Sequence, residues 1–237
     1  MARPDRARFG YVVTPNADHL VRLARAPEWR PAYTHATLRL LDSRVVAGAA
    51  RLFALAPPPV VPGSDLVAAL LARPEAAESV TLLGLPDSWL GALARRTGLV
   101  PRAHWNPPMG LLDDPAAFAA ALDFLEAHPA RFTLLAIGSP AQEVLAAALS
   151  ARGRARGLGL CVGAALDFLS GRSRRAPVWM RRAGLEWLHR LAREPRRLGA
   201  RYLREDPALF ALLARERFGY ALSWNTGGPS SLKRNRS

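Results

Sequence analysis

The chain has 237 residues, half of them apolar and 22% charged, which excludes a disordered polymer and allows one large domain with an appendage. Its 33 basic residues outnumber 19 acidic ones for a formal charge of +14, a balance that favours an anionic partner. The single cysteine, Cys161, excludes an intramolecular disulfide and a Cys-rich zinc centre.

In chain order, short apolar runs alternate with longer amphipathic ones. Expected strands are Gly10–Val13, Thr37–Leu41, Ser79–Leu83, Phe132–Ile137 and Leu158–Val162, several of them Val/Leu/Ile-rich without polar alternation. That pattern belongs to strands covered on both faces. Expected helices are Ala17–Ala26, Arg44–Leu55, Ser64–Leu71, Ser88–Thr97, Pro115–Ala127 and Pro140–Arg152. Pro115 and Pro140 suit a first helical turn, with Asp114 and Ser139 as N-caps. The alternation predicts an α/β fold: a Rossmann-like, mostly parallel sheet with helices on both faces.

Ligands bind such sheets at the carboxyl ends of the strands. The loops there are Thr14-Pro15-Asn16, Leu41-Asp42-Ser43, Gly84-Leu85-Pro86-Asp87, Gly138-Ser139-Pro140 and Gly163-Ala164. Each reads alone as ordinary turn chemistry. Five on one edge read as a site.

After Asp167 the character changes. Residues 172–204 hold eleven arginines and two acids, Glu186 and Glu194, interleaved with Trp179, Met180, Leu185, Trp187, Leu188 and Leu191. Residues 178–193 read as one basic amphipathic helix, suited to an anionic membrane surface or to packing on the main domain. The division expected is an α/β catalytic domain over 1–171, a basic helical C-terminal appendage over 172–221 and a flexible tail over 222–237. No apolar window of membrane-spanning length and no signal peptide is evident, so the expected location is cytoplasmic. P-loop, G-x-G-x-x-G, H-E-x-x-H, Asp-x-Asp and Gly-x-Ser-x-Gly patterns are absent.

Several segments carry a resemblance. They are Tyr11-Val12-Val13-Thr14-Pro15-Asn16-Ala17-Asp18-His19, Leu41 to Val46, Pro62 to Val67, Gly138 to Glu143, Val162 to Asp167, Arg175-Ala176-Pro177-Val178-Trp179, Gly184 to Arg190 and Glu194 to Arg197. In that order and spacing the chain resembles the WecG/TagA/CpsF family of bacterial glycosyltransferases. The resemblance implies transfer of a sugar from a UDP-sugar to a polyprenyl diphosphate-linked acceptor, with inversion, without a metal or other cofactor, in surface polysaccharide synthesis. It implies a hexosyl or N-acetylhexosaminyl donor, a peripheral place at the inner face of the cytoplasmic membrane, and an appendage that closes the site.

Asp42 matches the family's proposed base, with Thr14 and Asn16 as the other central polar positions. An inverting transfer needs such a base to take the acceptor hydroxyl proton. Donor-binding expectations fall on Gly63, Ser64, Asp65, Gly84, Gln142, Glu143, Gly163 and Asp167. Charge developing on the departing UDP calls for helix N-termini, backbone N–H groups or arginines. Arg190 and Arg197, then Arg175, Arg182 and Arg201, are expected at the acceptor diphosphate, because arginine grips phosphate as a planar fork. Trp179 and Trp187 are expected at the acyl boundary.

The chain departs from the family pattern with Ser43 for glycine, which suggests an extra hydroxyl in the site, and with Ala141 for lysine. It also departs at His104-Trp105-Asn106 and at Ala200-Arg201. The expected partners are thus a UDP-sugar, a lipid-linked acceptor and an anionic membrane; no nucleic acid is expected. Two other readings stand beside this one: a non-catalytic scaffold of a polysaccharide complex, and a basic nucleic-acid-binding protein. Self-association that hides the apolar C-terminal face is left open.

Overall fold

The computed structural model describes residues 8–73, 79–193, 195 and 208–217. Among them, six strands form one all-parallel sheet in the order β2-β1-β6-β5-β3-β4. The strands are β1 (Gly10–Val13), β2 (Leu38–Arg39), β3 (Val80–Gly84), β4 (Ala103–Trp105), β5 (Phe132–Ala136) and β6 (Leu158–Cys161). Helices fill the connections: α1 (Ala17–Arg25), α2 (Arg30–Thr34), α3 (Arg44–Leu52), α4 (Gly63–Leu71), α5 (Leu90–Thr97), α6 (Pro115–Ala127), α7 (Ala141–Arg152) and α8 (Ala165–Ser170). Beyond them lie α9 (Val178–Arg182), α10 (Glu186–Arg193) and α11 over 208–217. The architecture is the expected Rossmann-like α/β fold.

The absence of polar alternation follows from burial on both faces. Successive side chains along a strand point to opposite sides of the sheet. Tyr11, Val13, Leu83, Leu135 and Cys161 pack on one side with Leu122 and Leu125 of α6 and Leu145 and Leu149 of α7. Val12, Leu82, Leu134 and Leu160 pack on the other with Val67 and Leu71 of α4, Leu93 of α5 and Leu166 of α8. A third cluster joins Val21 of α1, Leu41 and Val46, Ala47, Ala49 and Ala50 of α3 to Leu209 and Leu213 of α11. Part of the segment read as appendage is therefore seated on the α/β body.

Several expectations shift. The second strand shortens to two exposed residues, because it lies at the sheet edge. β4 was not expected; three half-buried residues at the other edge leave no apolar run to recognise. Asp114 caps α6, its Oδ1 accepting from the N–H groups of Ala116 and Ala117. Ser139 does not cap α7; its hydroxyl faces Arg22 and Tyr33. The basic stretch 178–193 is not one helix. Gly184, at φ +74°, breaks it into α9 and α10, a backbone conformation that L side chains rarely adopt.

Candidate functional site

The carboxyl edge of the sheet assembles from β1, β2 and β6 first. Thr14 follows β1, is buried, and its Oγ1 donates to the Cys161 carbonyl at 3.1 Å, tying β1 to the end of β6. Past β2, Leu40 N–H donates to Val13 O at 3.0 Å and Asp42 N–H to Pro15 O at 2.8 Å, so Asp42 is drawn alongside the Thr14–Asn16 loop. The chain then leaves α3 and returns as Val61 N–H donating to Leu41 O at 2.8 Å. That return places the start of α4 against Asp42, whose Oδ2 accepts from Gly63 N–H at 3.1 Å.

Gly63 is where these elements approach one another closely. A Cβ there would lie 3.2 Å from Thr14 Oγ1, 3.6 Å from Asp42 Oδ2 and 3.7 Å from Val162 O. Thr14, Asp42 and Gly63, taken separately from the sequence, thus meet around one glycine. The N–H fixes the orientation of the Asp42 carboxylate without saturating it, since an ionised carboxylate offers about four lone-pair sites. Ser43 adds no hydroxyl to this corner as an acceptor: its Oγ accepts from Val46 N–H at 3.1 Å and caps α3.

A second, deeper group lies under the β1, β5 and β6 loops. Gln142, 3% exposed, has Oε1 accepting from Gly163 N–H at 3.0 Å and Nε2 donating to Glu143 Oε1 at 2.8 Å. Glu143 is 1% exposed, so it stands behind the edge rather than on it, away from the direct donor contact expected of it. Burial pushes its carboxyl above the ordinary range, while hydrogen bonds from Gln142 and Ser139 and the Arg22 charge pull back. Asn16 caps α1 in a reciprocal box: its Oδ1 accepts from His19 N–H at 3.4 Å, and its own N–H donates to His19 Nδ1 at 3.1 Å. Arg22 Nη1 donates to Ser139 Oγ at 2.9 Å, Arg22 pairs with Asp18, and Tyr33 OH lies 3.2 Å from Ser139 Oγ. Burial also raises the Tyr33 phenol, which therefore stays protonated. His19, Arg22, Tyr33 and Ser139 were not singled out for the site. The Asn16–His19 spacing of three is the one signal that could have found part of this group, because it is capping-box spacing.

Other expected residues disperse. Gly84 ends β3, three strand positions from Thr14 and so roughly 14 Å along the edge. Its φ of +102° and the following Leu85 at +69° form a tight corner held by His104, whose Nε2 lies 3.1 Å from Gly84 O and 2.9 Å from Leu85 O. Asp167, on α8, pairs with Arg172 at 2.9 Å. Ser64 is buried in the first turn of α4, and Asp65 beside it turns toward the basic segment.

There Arg175 bridges two elements: its Nη1 donates to Asp65 Oδ1 and its Nε to Glu186 Oε1 at 3.4 Å. Arg181 adds a longer pairing to Asp65 at 3.8 Å. A Cβ on Gly184 would lie 3.6 Å from the Cβ of Arg44, the first residue of α3 and two past Asp42. The α9–α10 segment therefore meets the first turns of α3 and α4, at positions two residues past Asp42 and Gly63. Trp179 and Leu188 are exposed and Trp187 is half-buried. Arg182 lies on α9 and Arg190 on α10; Arg197 and Arg201 lie outside the described residues. Among the described residues, no three His, Cys, Asp or Glu side chains are grouped to hold a metal, and no helix is long and apolar enough to cross a membrane.

A parallel α/β sheet whose carboxyl edge gathers an oriented carboxylate, a buried threonine and a capping asparagine, with a basic helical pair nearby, is a Rossmann-like α/β fold with a candidate ligand site at that edge. The family is settled by comparison: the glycosyl transferase WecG/TagA/CpsF family model matches residues 1–222, and the chain belongs to that family. It is a glycosyltransferase.

Proposed function

We propose that the protein is an inverting, metal-independent transferase. It moves a hexose or N-acetylhexosamine from a UDP-sugar to a polyprenyl diphosphate-linked saccharide, at the inner face of the cytoplasmic membrane, in surface polysaccharide synthesis. Asp42 takes the proton of the acceptor hydroxyl while that oxygen attacks the anomeric carbon. The bond from that carbon to the UDP oxygen breaks, and UDP departs with the electron pair. Thr14 and Asn16 hold sugar hydroxyls beside it. Arginines of the basic segment, Arg182 and Arg190 among them, meet the acceptor diphosphate, and Trp179 and Leu188 face the acyl boundary.

The observation that supports this reading is the convergence of Asp42, Thr14 and Gly63, with the α9–α10 segment contacting Arg44 and Asp65, two residues past Asp42 and Gly63. A base and an anion-binding, apolar-tipped element then serve one acceptor whose hydroxyl and diphosphate are close together. The test is the product mass after incubation with a polyprenyl diphosphate-linked monosaccharide and mixed UDP-sugars. A gain of one hexose or N-acetylhexosamine residue is expected. No transfer from any donor, with the protein folded, contradicts the proposal.

A further inference from the structure

Glu143 is the most enclosed acid in the described part of the chain, and its Oε2 has no hydrogen-bond partner there. A buried carboxyl is costly unless the groups around it are fixed to hold it. Ser139 also reaches the carboxyl, and Oε1 has two further neighbours. Gln142 Nε2 donates to Oε1 at 2.8 Å, and His19 Nε2 stands 3.8 Å from the same atom, an electrostatic contact rather than a hydrogen bond. Each neighbour leads back to the sheet edge. Gln142 carries the Gly163 N–H on its Oε1. His19 Nδ1 lies 3.1 Å from Asn16 N and 2.7 Å from Asn16 Oδ1. One carboxyl thus stands behind two loops, β1–α1 and β6–α8, from different ends of the chain.

We propose that Glu143, with His19, is a positioning pair: the enclosed carboxyl sets the amide of Gln142 on one side and the imidazole that holds Asn16 on the other, without touching substrate. This rests on the reading that Asn16 and Gln142 face the sugar-transfer site. A two-way strut suits the position because an imidazole ring is oriented by whatever its far nitrogen meets. An amide whose oxygen and nitrogen are both engaged likewise cannot turn over. Ser139 of the β5–α7 loop reaches Glu143 and is itself held by Arg22 of α1 and Tyr33 of α2.

The experiment compares Glu143→Leu with Glu143→Gln, each alone and on a Gln142→Leu background. It reads kcat and, separately, the ring-nitrogen resonances of His19 in the protein without any donor. E143Q keeps an acceptor toward Gln142; E143L keeps only the volume. The expected result is that E143L loses about 10- to 100-fold in kcat, the scale of removing a supporting contact behind a site, and at least about tenfold more than E143Q. On the Gln142→Leu background the same change costs less than about threefold, because part of what Glu143 acts through is gone. The His19 resonances move in E143L. Equal losses in E143Q and E143L, losses that multiply independently on the Gln142→Leu background, or unmoved His19 resonances overturn the proposal. Should E143L fail to fold, Glu143→Met takes its place with the same expectations. A protein that transfers no sugar but whose His19 responds to E143L defeats the functional reading and leaves the strut standing.

Discussion

The sheet and the α9–α10 pair are held to the molecule by different physics. At the sheet, Val80, Leu82, Leu134 and Leu135 are fully enclosed and pack on helices from both sides. At the α9–α10 pair, Val178 and Trp179 face outward, and the attachment runs through Arg175, Asp65, Glu186 and the close approach of Gly184 to Arg44. Apolar burial is not screened by salt, whereas half-exposed ion pairs are. The body is thus a rigid base that fixes Asp42. The pair beside it is docked by partly exposed ion pairs that added salt weakens.

The contrast can be broken first at the sheet. Leu134→Ala removes a fully buried side chain between β3 and β6 and is expected to cost about 2–5 kcal/mol in denaturant unfolding. A loss below about 1 kcal/mol would contradict the packing described.

The next effect comes from Glu143. Its folded carboxyl sits above the ordinary value of 4.5, so the native state holds a proton that the unfolded chain releases. Stability is then greatest below that value and falls as pH rises from it through the folded titration, with a slope of at most about 1.4 kcal/mol per pH unit for one proton. Glu143→Gln should flatten that limb. An unchanged pH profile in the variant would show that Glu143 is not the group responsible.

The smallest effect belongs to the docked pair. Asp65→Asn weakens the Arg175 and Arg181 pairings across a partly exposed boundary, with about 0.2–1 kcal/mol expected in global unfolding. Limited proteolysis between 172 and 193 should nonetheless quicken in the variant, and added salt should quicken it in the wild type. Cleavage equally slow in both proteins and at all salt concentrations would mean that the pair is packed like the core.

Much of the fold was legible because two-sided burial writes itself as uninterrupted apolar runs. β1, β3, β5 and β6 were found within a residue or so for that reason. Edge strands lack the signal: β2 is exposed, β4 is half-buried, and only neighbouring strands reveal them. Position after strands put the loops of Thr14 and Asp42 at the sheet edge and the resemblance picked out the two residues, but their meeting at Gly63 depends on the return of 55–61 beside β2, which no local pattern encodes. The Glu143 group was hidden for a further reason. Gln142 and Glu143 of α7 were named from the resemblance as donor residues, but their neighbours come from α1, α2 and the β5–α7 loop, and a buried acid reads in a helical sequence like any surface glutamate. Gly184 did announce the break between α9 and α10, yet the periodicity of the apolar residues outweighed a single glycine.

The central claim is that the carboxylate of Asp42, oriented by Gly63 N–H, removes the acceptor proton. Asp42→Asn keeps the shape and an oxygen for that N–H but removes the base. Single-turnover transfer by this variant, measured with saturating donor and acceptor, should fall about 10²- to 10⁴-fold, with unfolding changed by less than about 1 kcal/mol. Transfer at the wild-type rate by a folded Asp42→Asn protein would contradict the account.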